Sequence, residues 1–296
     1  PEAHTFYWVD TPDLVSSVND IQLQRGVGTS TNGAAAFGAS VNMTTDRLSA
    51  TPYALYAGAF GSFNSMKNTV KVGTGLLNNH WTFDARLSYL SSDGYRDRSS
   101  ARLGSYFAQL GYINDGTTFK LIAFGGKERT YHAWDGITKD QLKTNRTYNP
   151  NGYIEATKSF YDNQIDYYFQ QHVQALLTQR IDEHWNFNAA LHYTYGFGYY
   201  EEYKNGKKLE SFGLKPFVLD GKEISKTDIV RRKNLEGNFG GAIASLDYKN
   251  GDFDFSFGQA LNYFNNNHFG EVHWVKDYVG TLDTQRRYYD NTGKKL

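Results

Sequence analysis

The sequence predicts an all-β fold, an antiparallel transmembrane β-barrel of which the chain holds about nine or ten strands. Three observations carry that reading. From Pro52 onward, apolar and polar residues alternate with period two in run after run, as strands with one dry and one wet face require. Short and long connections between the runs take turns. Aromatic side chains open several runs just after a short connection.

Composition narrows the field. With 31 basic and 31 acidic residues the net charge is zero, so nothing directs the chain to nucleic acid. The 23 Tyr and 20 Phe suit pleated surfaces, and 29 Gly against five Pro suit turns and crowded strand positions. No apolar run approaches the roughly 20 residues of a membrane helix, whereas barrel strands average to a polar hydropathy. The absence of Cys excludes a disulfide framework and thiolate metal sites. The chain opens PEAHTFYWVD, without a basic and apolar leader, and is expected to start within a longer protein.

The expected strands are 53–60, 66–75, 81–92, 101–114, 117–129, 165–180, 185–200, 237–249 and 252–265. Tight connections at Leu76–His80, Asn114–Gly116, Ile181–His184 and Asn250–Gly251 carry the Asn, Asp or Gly that turns demand. The alternate connections are expected to be loops: a small one at Gly61–Ser65, then Asp93–Ser99, 130–164, 201–236 and everything after Asn265. Short turns at one end and long loops at the other are the asymmetry of outer-membrane barrels.

The faces agree. Trp81, Phe83, Ala85, Leu87 and Tyr89 oppose Thr82, Asp84, Arg86 and Ser88; Trp185, Phe187, Leu191 and Tyr193 oppose Asn186, Asn188, His192 and Thr194. Phe253, Phe255, Phe257, Leu261 and Tyr263 share a face with one polar intruder, Gln259. Strand 117–129 is apolar on both sides and leaves its facing open. A soluble β-sandwich binding glycans through Tyr and Trp also alternates and stands as the alternative. Trp81, Trp185 and Phe253, each just past a short turn, favour an interfacial girdle and hence the barrel.

Ahead of the first strand, residues 21–28 read IQLQRGVG and residues 29–43 read TSTNGAAAFGASVNM. This stretch resembles the end of the plug domain of TonB-dependent receptors, where an apolar strand ends in Arg-Gly-Pro, a small-residue segment contains Tyr-Gly, and Gly-Gly leads into an Ile/Val-Asn strand. Val27, Asn32 and Ala39 depart from that pattern and bear on one loop's conformation. The likeness looks closest to members from Bacteroides-like bacteria.

The resemblance implies residues 1–48 as the C-terminal part of a plug and 49–296 as the N-terminal part of a barrel of about 22 strands. It further implies a cell outer membrane location, and three partners: outer-membrane lipid, the energising TonB complex (whose docking segment is not in this chain), and a small-molecule, chelate or glycan ligand. The function implied is energy-coupled uptake of a scarce ligand such as an iron chelate, haem, cobalamin or oligosaccharide. The plug motif residues are Arg25, Gly26, Gly28, Gly33, Gly38 and Asn42, with Arg25 expected to pair with acids on the inner barrel wall. On physical grounds those glycines allow positive φ or close backbone approach. Their spacing is not that of a dinucleotide fingerprint and no helix-forming run follows, so a phosphate site is not expected.

No nucleophile elbow, paired-histidine metal motif or P-loop is present, and no cofactor or catalytic residue is expected. His268 and His273 flank Glu271 at a spacing suiting neither one strand face nor one helix face, so no metal is expected there. The best ligand candidates are Tyr131, His132, Trp134, Asp135 and Tyr153 of the 130–164 loop, where aromatics neighbour hydrogen-bonding groups. Tyr131 and Trp134 equally suit an upper interfacial belt.

Overall fold

The computed structural model describes residues 8–26 and 38–292. A short amino-terminal segment leads into a hairpin of β1 (Val18–Arg25) and β2 (Ala39–Thr45). Ten strands then form one antiparallel sheet: β3 (Pro52–Gly61), β4 (Ser65–Thr74), β5 (Trp81–Ser92), β6 (Ala101–Asn114), β7 (Thr117–Tyr131), β10 (Ile165–Arg180), β11 (Trp185–Lys208), β14 (Lys226–Asn250), β15 (Phe253–Val275) and β16 (Arg287–Asp290). Between β7 and β10 lie helix α1 (Lys139–Thr144) and the miniature hairpin β8 (Tyr153–Ile154) and β9 (Ser159–Phe160). Between β11 and β14 lies a second one, β12 (Phe217–Leu219) and β13 (Lys222–Ile224). Each large strand pairs only with its neighbours along the chain. The other described sheets are two-stranded, so no second sheet of comparable size faces this one, as a sandwich would need.

Registry fixes which residues share a face. Arg86 lies opposite Lys71 and Phe107, while Leu87 lies opposite Val70 and Tyr106. The polar set is the covered one: Arg86 is 2% exposed and Leu87 67%, with Phe257 at 64%. A sheet that hides its charges and presents Leu and Phe outward inverts the soluble pattern and suits a wall with lipid outside. The apolar outer band runs from Trp81 to Tyr89 and from Phe253 to Tyr263, close to the roughly 9–11 residues a tilted spanning strand needs. At its lower rim, Trp81 packs on Tyr112 at 4.8 Å and Trp185 on Tyr248 at 4.7 Å, beside the short turns. Asp182 caps one of these turns by accepting from the backbone N–H groups of His184 and Trp185, both at 2.8 Å. Among the described residues no helix is long and apolar enough to cross a membrane.

Strand β7, whose facing the sequence left open, puts Ile122, Phe124 and Glu128 on the inner face opposite Gln174, His172 and Tyr168. Phe124 stacks on His172 at 4.4 Å, which accounts for the extra apolar residues on that side.

Two expected loops are corrected. Residues 201–236 are not one long loop: β11 and β14 continue paired up to Lys208 and Lys226, past a bulge. Likewise β15 does not end at Asn265 but runs on to Val275. Charged residues read as loop, but here they pair across strands. Arg232 Nε donates to Glu201 at 2.6 Å and Arg231 Nη2 to Glu202 at 2.7 Å, a use of charge open to strands standing in water. Beyond them Leu209, Phe212, Phe217, Ile229, Val272 and Val275 form a small apolar core of their own.

Candidate functional site

The inner face carries two arrangements. The first is a socket for the segment preceding the wall. Asp13 adopts left-handed backbone (φ 54°), which Asp tolerates better than most residues. That conformation accompanies a side chain set among Lys67, Thr69, Arg86 and Ser88 of β4 and β5. Lys67 and Arg86 both form ion pairs with it, the Arg86 pair at 3.2 Å with side chains 1% and 5% exposed. Burial works to raise the Asp13 carboxyl, and hydrogen bonds from Lys67, Ser16 and Ser88 outweigh it, so the group sits below the usual carboxylate range. Arg86 Nε also donates to Ser17 at 2.7 Å and its Nη1 to Ser105 at 3.0 Å. Nearby Lys71 pairs with Asp46, and Leu48 fills the space over Gly111 where a side chain would stand.

The second arrangement is a cavity of about 590 Å³ farther toward the long loops. Its lining brings together Asp10 from the amino-terminal segment, Glu128 of β7, Asp166 and Tyr168 of β10, Tyr200 of β11 and Lys233 of β14, with Trp134 from the loop after β7. Gly196 and Gly198 explain the floor: the Tyr168 ring lies against their backbone where any Cβ would collide. Trp134, 56% exposed, stacks on His132 at 3.9 Å and meets Tyr200 edge-on at 5.6 Å. Glu128 is 2% exposed, and its Oε2 has no hydrogen-bond partner. Burial, with the charge of Asp166 second, pushes the Asp10 carboxyl up to about 6.

Of the five loop candidates, Trp134 lines this cavity. His132 is wholly buried beneath it, and Asp135 is exposed. Tyr131 donates to the Tyr161 carbonyl at 2.8 Å, and Tyr153 packs on Phe160 at 5.4 Å. Arg96 and Arg98 hold the loop by donating to the carbonyls of Ala133, Tyr148 and Asn149, and Asn149 Nδ2 donates to the His132 carbonyl at 2.8 Å.

In the plug-like stretch, Arg25 ends β1 opposite Ala39, is exposed, and forms no ion pair among the described residues. Gly26 takes φ 82°, and its N–H donates to the Gly38 carbonyl at 2.9 Å, while Gly38 itself has open space around it. Asn42 pairs with Gln22 across the hairpin. Gly28 and Gly33 lie outside the described residues. Sequence reasoning missed Asp10, Asp13, Glu128 and Asp166. The signal available was the inner-face periodicity itself, which places Asp166 and Tyr168 in the same column of the strand as His172.

No family model matches the sequence, and no curated protein matches it either. Solved structures do match. The ferripyoverdine receptor of the Pseudomonas aeruginosa outer membrane aligns with TM-score 0.64 and 11% identity over 93% of this chain and 38% of its own. The ferric-catecholate import receptor Fiu of Escherichia coli K12 gives 0.63 and 11% over 90% and 41%. The copper transporter OprC gives 0.62 and 11% over 91% and 37%. The chain therefore spans about two fifths of the length of these structures, and the likeness is one of fold.

Proposed function

We propose that this chain, which has the fold of the TonB-dependent outer-membrane receptors, is part of a receptor that draws a scarce ligand across the bacterial outer membrane. Residues 1–48 would be the end of its plug and residues 49–296 the first part of its wall. The observation that carries the reading is the socket: the segment ahead of the barrel is strapped to the charged inner face through Asp13 and Asp46, beneath an open cavity. A plug held by ion pairs and hydrogen bonds, as these described residues are, is firm at rest yet releasable by force. Ligand held between the amino-terminal segment and the wall at Asp10 touches both parts at once, which is what coupling of binding to plug movement needs. The energising partner in this reading is the TonB complex, and the work is transport without bond-making.

The neighbours named above take up ferric chelates and copper, so the ligand search begins with those and extends to haem, cobalamin and oligosaccharides. A strain lacking the full-length gene is expected to lose accumulation of one labelled member of that panel, and deletion of TonB is expected to abolish the same uptake. Uptake that persists at full rate without TonB would refute energy coupling.

A further inference from the structure

The cavity's own chemistry narrows the ligand, given the reading of it as the receptor's binding site. Glu128 is enclosed at 2% exposure with one carboxylate oxygen lacking any donor, and a buried acceptor left so is costly. Asp166 and Asp10 stand close enough for their charges to act on it, although the three come from separate segments of the chain. Several other carboxylates on this face are matched by cations, Asp13 by Lys67 and Arg86, Asp46 by Lys71, Glu202 by Arg231, whereas the buried Asp84 forms no ion pair among the described residues and is met by the neutral Tyr53 and Gln109. Asp10, Glu128 and Asp166 form no ion pair among the described residues. Lys233, the cation in the lining, sits over the Tyr200 ring at 5.5 Å, and His268 completes the titratable groups there. No three ligating side chains among the described residues are placed to hold a metal ion. Trp134, Tyr168 and Tyr200 supply ring surface of the kind that attracts organic cations.

We propose that the cavity receives a protonated nitrogen group of the ligand, an alkylammonium or guanidinium, between Asp10, Glu128 and Asp166, with the attached apolar body against Trp134 and the tyrosines. The group supplies the donor that Glu128 lacks and the positive charge that three crowded carboxylates require.

The test uses full-length receptor purified in detergent and isothermal titration with three probes of one shape: tyramine, neutral 4-propylphenol, and anionic 3-(4-hydroxyphenyl)propanoate. Tyramine is expected to bind at least about tenfold more tightly than either other probe, the discrimination a charge-assisted hydrogen bond supplies. Glu128→Gln and Asp166→Asn are each expected to weaken tyramine binding severalfold and so remove most of that preference, with heat-modifiable migration on gels showing that the barrels are folded. Equal binding of the three probes, preference for the propanoate, no binding of any probe, or an undiminished tyramine preference in both variants would overturn the proposal. Because the measurement needs no energised membrane, it can fail while TonB-dependent uptake stands, and uptake can fail while the cation preference stands.

Discussion

His132 is wholly buried under Trp134, surroundings that favour the neutral imidazole. Burial pulls its pKa down to about 4, against a smaller upward pull from the Glu202 charge. The folded value lies below the ordinary 6.5, so between those two pH values the opened loop binds more protons than the closed one. The stabilisation is therefore whole above pH 6.5 and is lost as pH falls toward 4, with a ceiling of about 3 kcal/mol. Protection factors over residues 133–163 of the full-length protein, which divide out the intrinsic pH dependence of amide exchange, are expected to fall on acidification over that window. His132→Phe, which keeps a ring on Trp134 and removes the titrating group, is expected to flatten the profile; a wild-type profile already flat between pH 4 and 6.5 would contradict the account. At this scale the site was only partly legible in sequence. Trp134 stands out as an aromatic in a long connection, but Glu128 sits in a strand whose two sides, with Leu121 and Ala123 against Ile122 and Phe124, are equally apolar. Asp10 precedes every recognisable strand and acquires meaning only when the chain folds back onto β7 and β10.

Among the elements, the tall hairpins β11–β14 and β14–β15 differ most from expectation. Their lower halves were legible because an apolar outer face and a polar inner face impose a strict two-residue period, as at Trp185 to Tyr193. Above the lipid that contrast vanishes, and Glu201, Glu202 and Lys204 on one strand gave no sign that Arg231 and Arg232 would meet them. The apolar residues that hold this crown, Leu209, Phe217, Ile229 and Val272, are scattered over more than 60 positions and show no local period. Ile229 is fully buried, so Ile229→Ala is expected to cost the crown about 2–5 kcal/mol. Proteolysis between Lys208 and Lys226 is expected to accelerate while the spanning part keeps its heat-modifiable migration. Unchanged cleavage would show that the crown does not depend on this core.

For the molecule as a whole, the decisive contact is between the leading segment and the wall. Arg86 is enclosed, and Asp13 is its ion-pair partner among the described residues, so Asp13→Asn leaves a buried cation unmatched, at a cost of about 3–5 kcal/mol. In the full-length protein that loss is expected to appear as faster hydrogen exchange over residues 8–17 and, on the proposed reading of the segment as a plug, as leakage of large antibiotics into cells. Exchange over 8–17 equal to wild type would mean that the socket does not hold the segment. The family resemblance implies pinning by Arg25, with a partner that can lie beyond this chain, while the ties observed at Asp13 and Asp46 put acid on the segment and base on the wall. That polarity was illegible because Lys67, Lys71 and Arg86 look like ordinary wet-face residues until something docks on them. The strand order adds a temporal meaning to this socket. Every side chain that grips Asp13 lies between Ser16 and Ser88, and Ser105 completes the support of Arg86. A ribosome has therefore made the whole anchorage once β6 is under way, and the leading segment carries its own seat in the stretch of chain translated next after it, before the later strands exist.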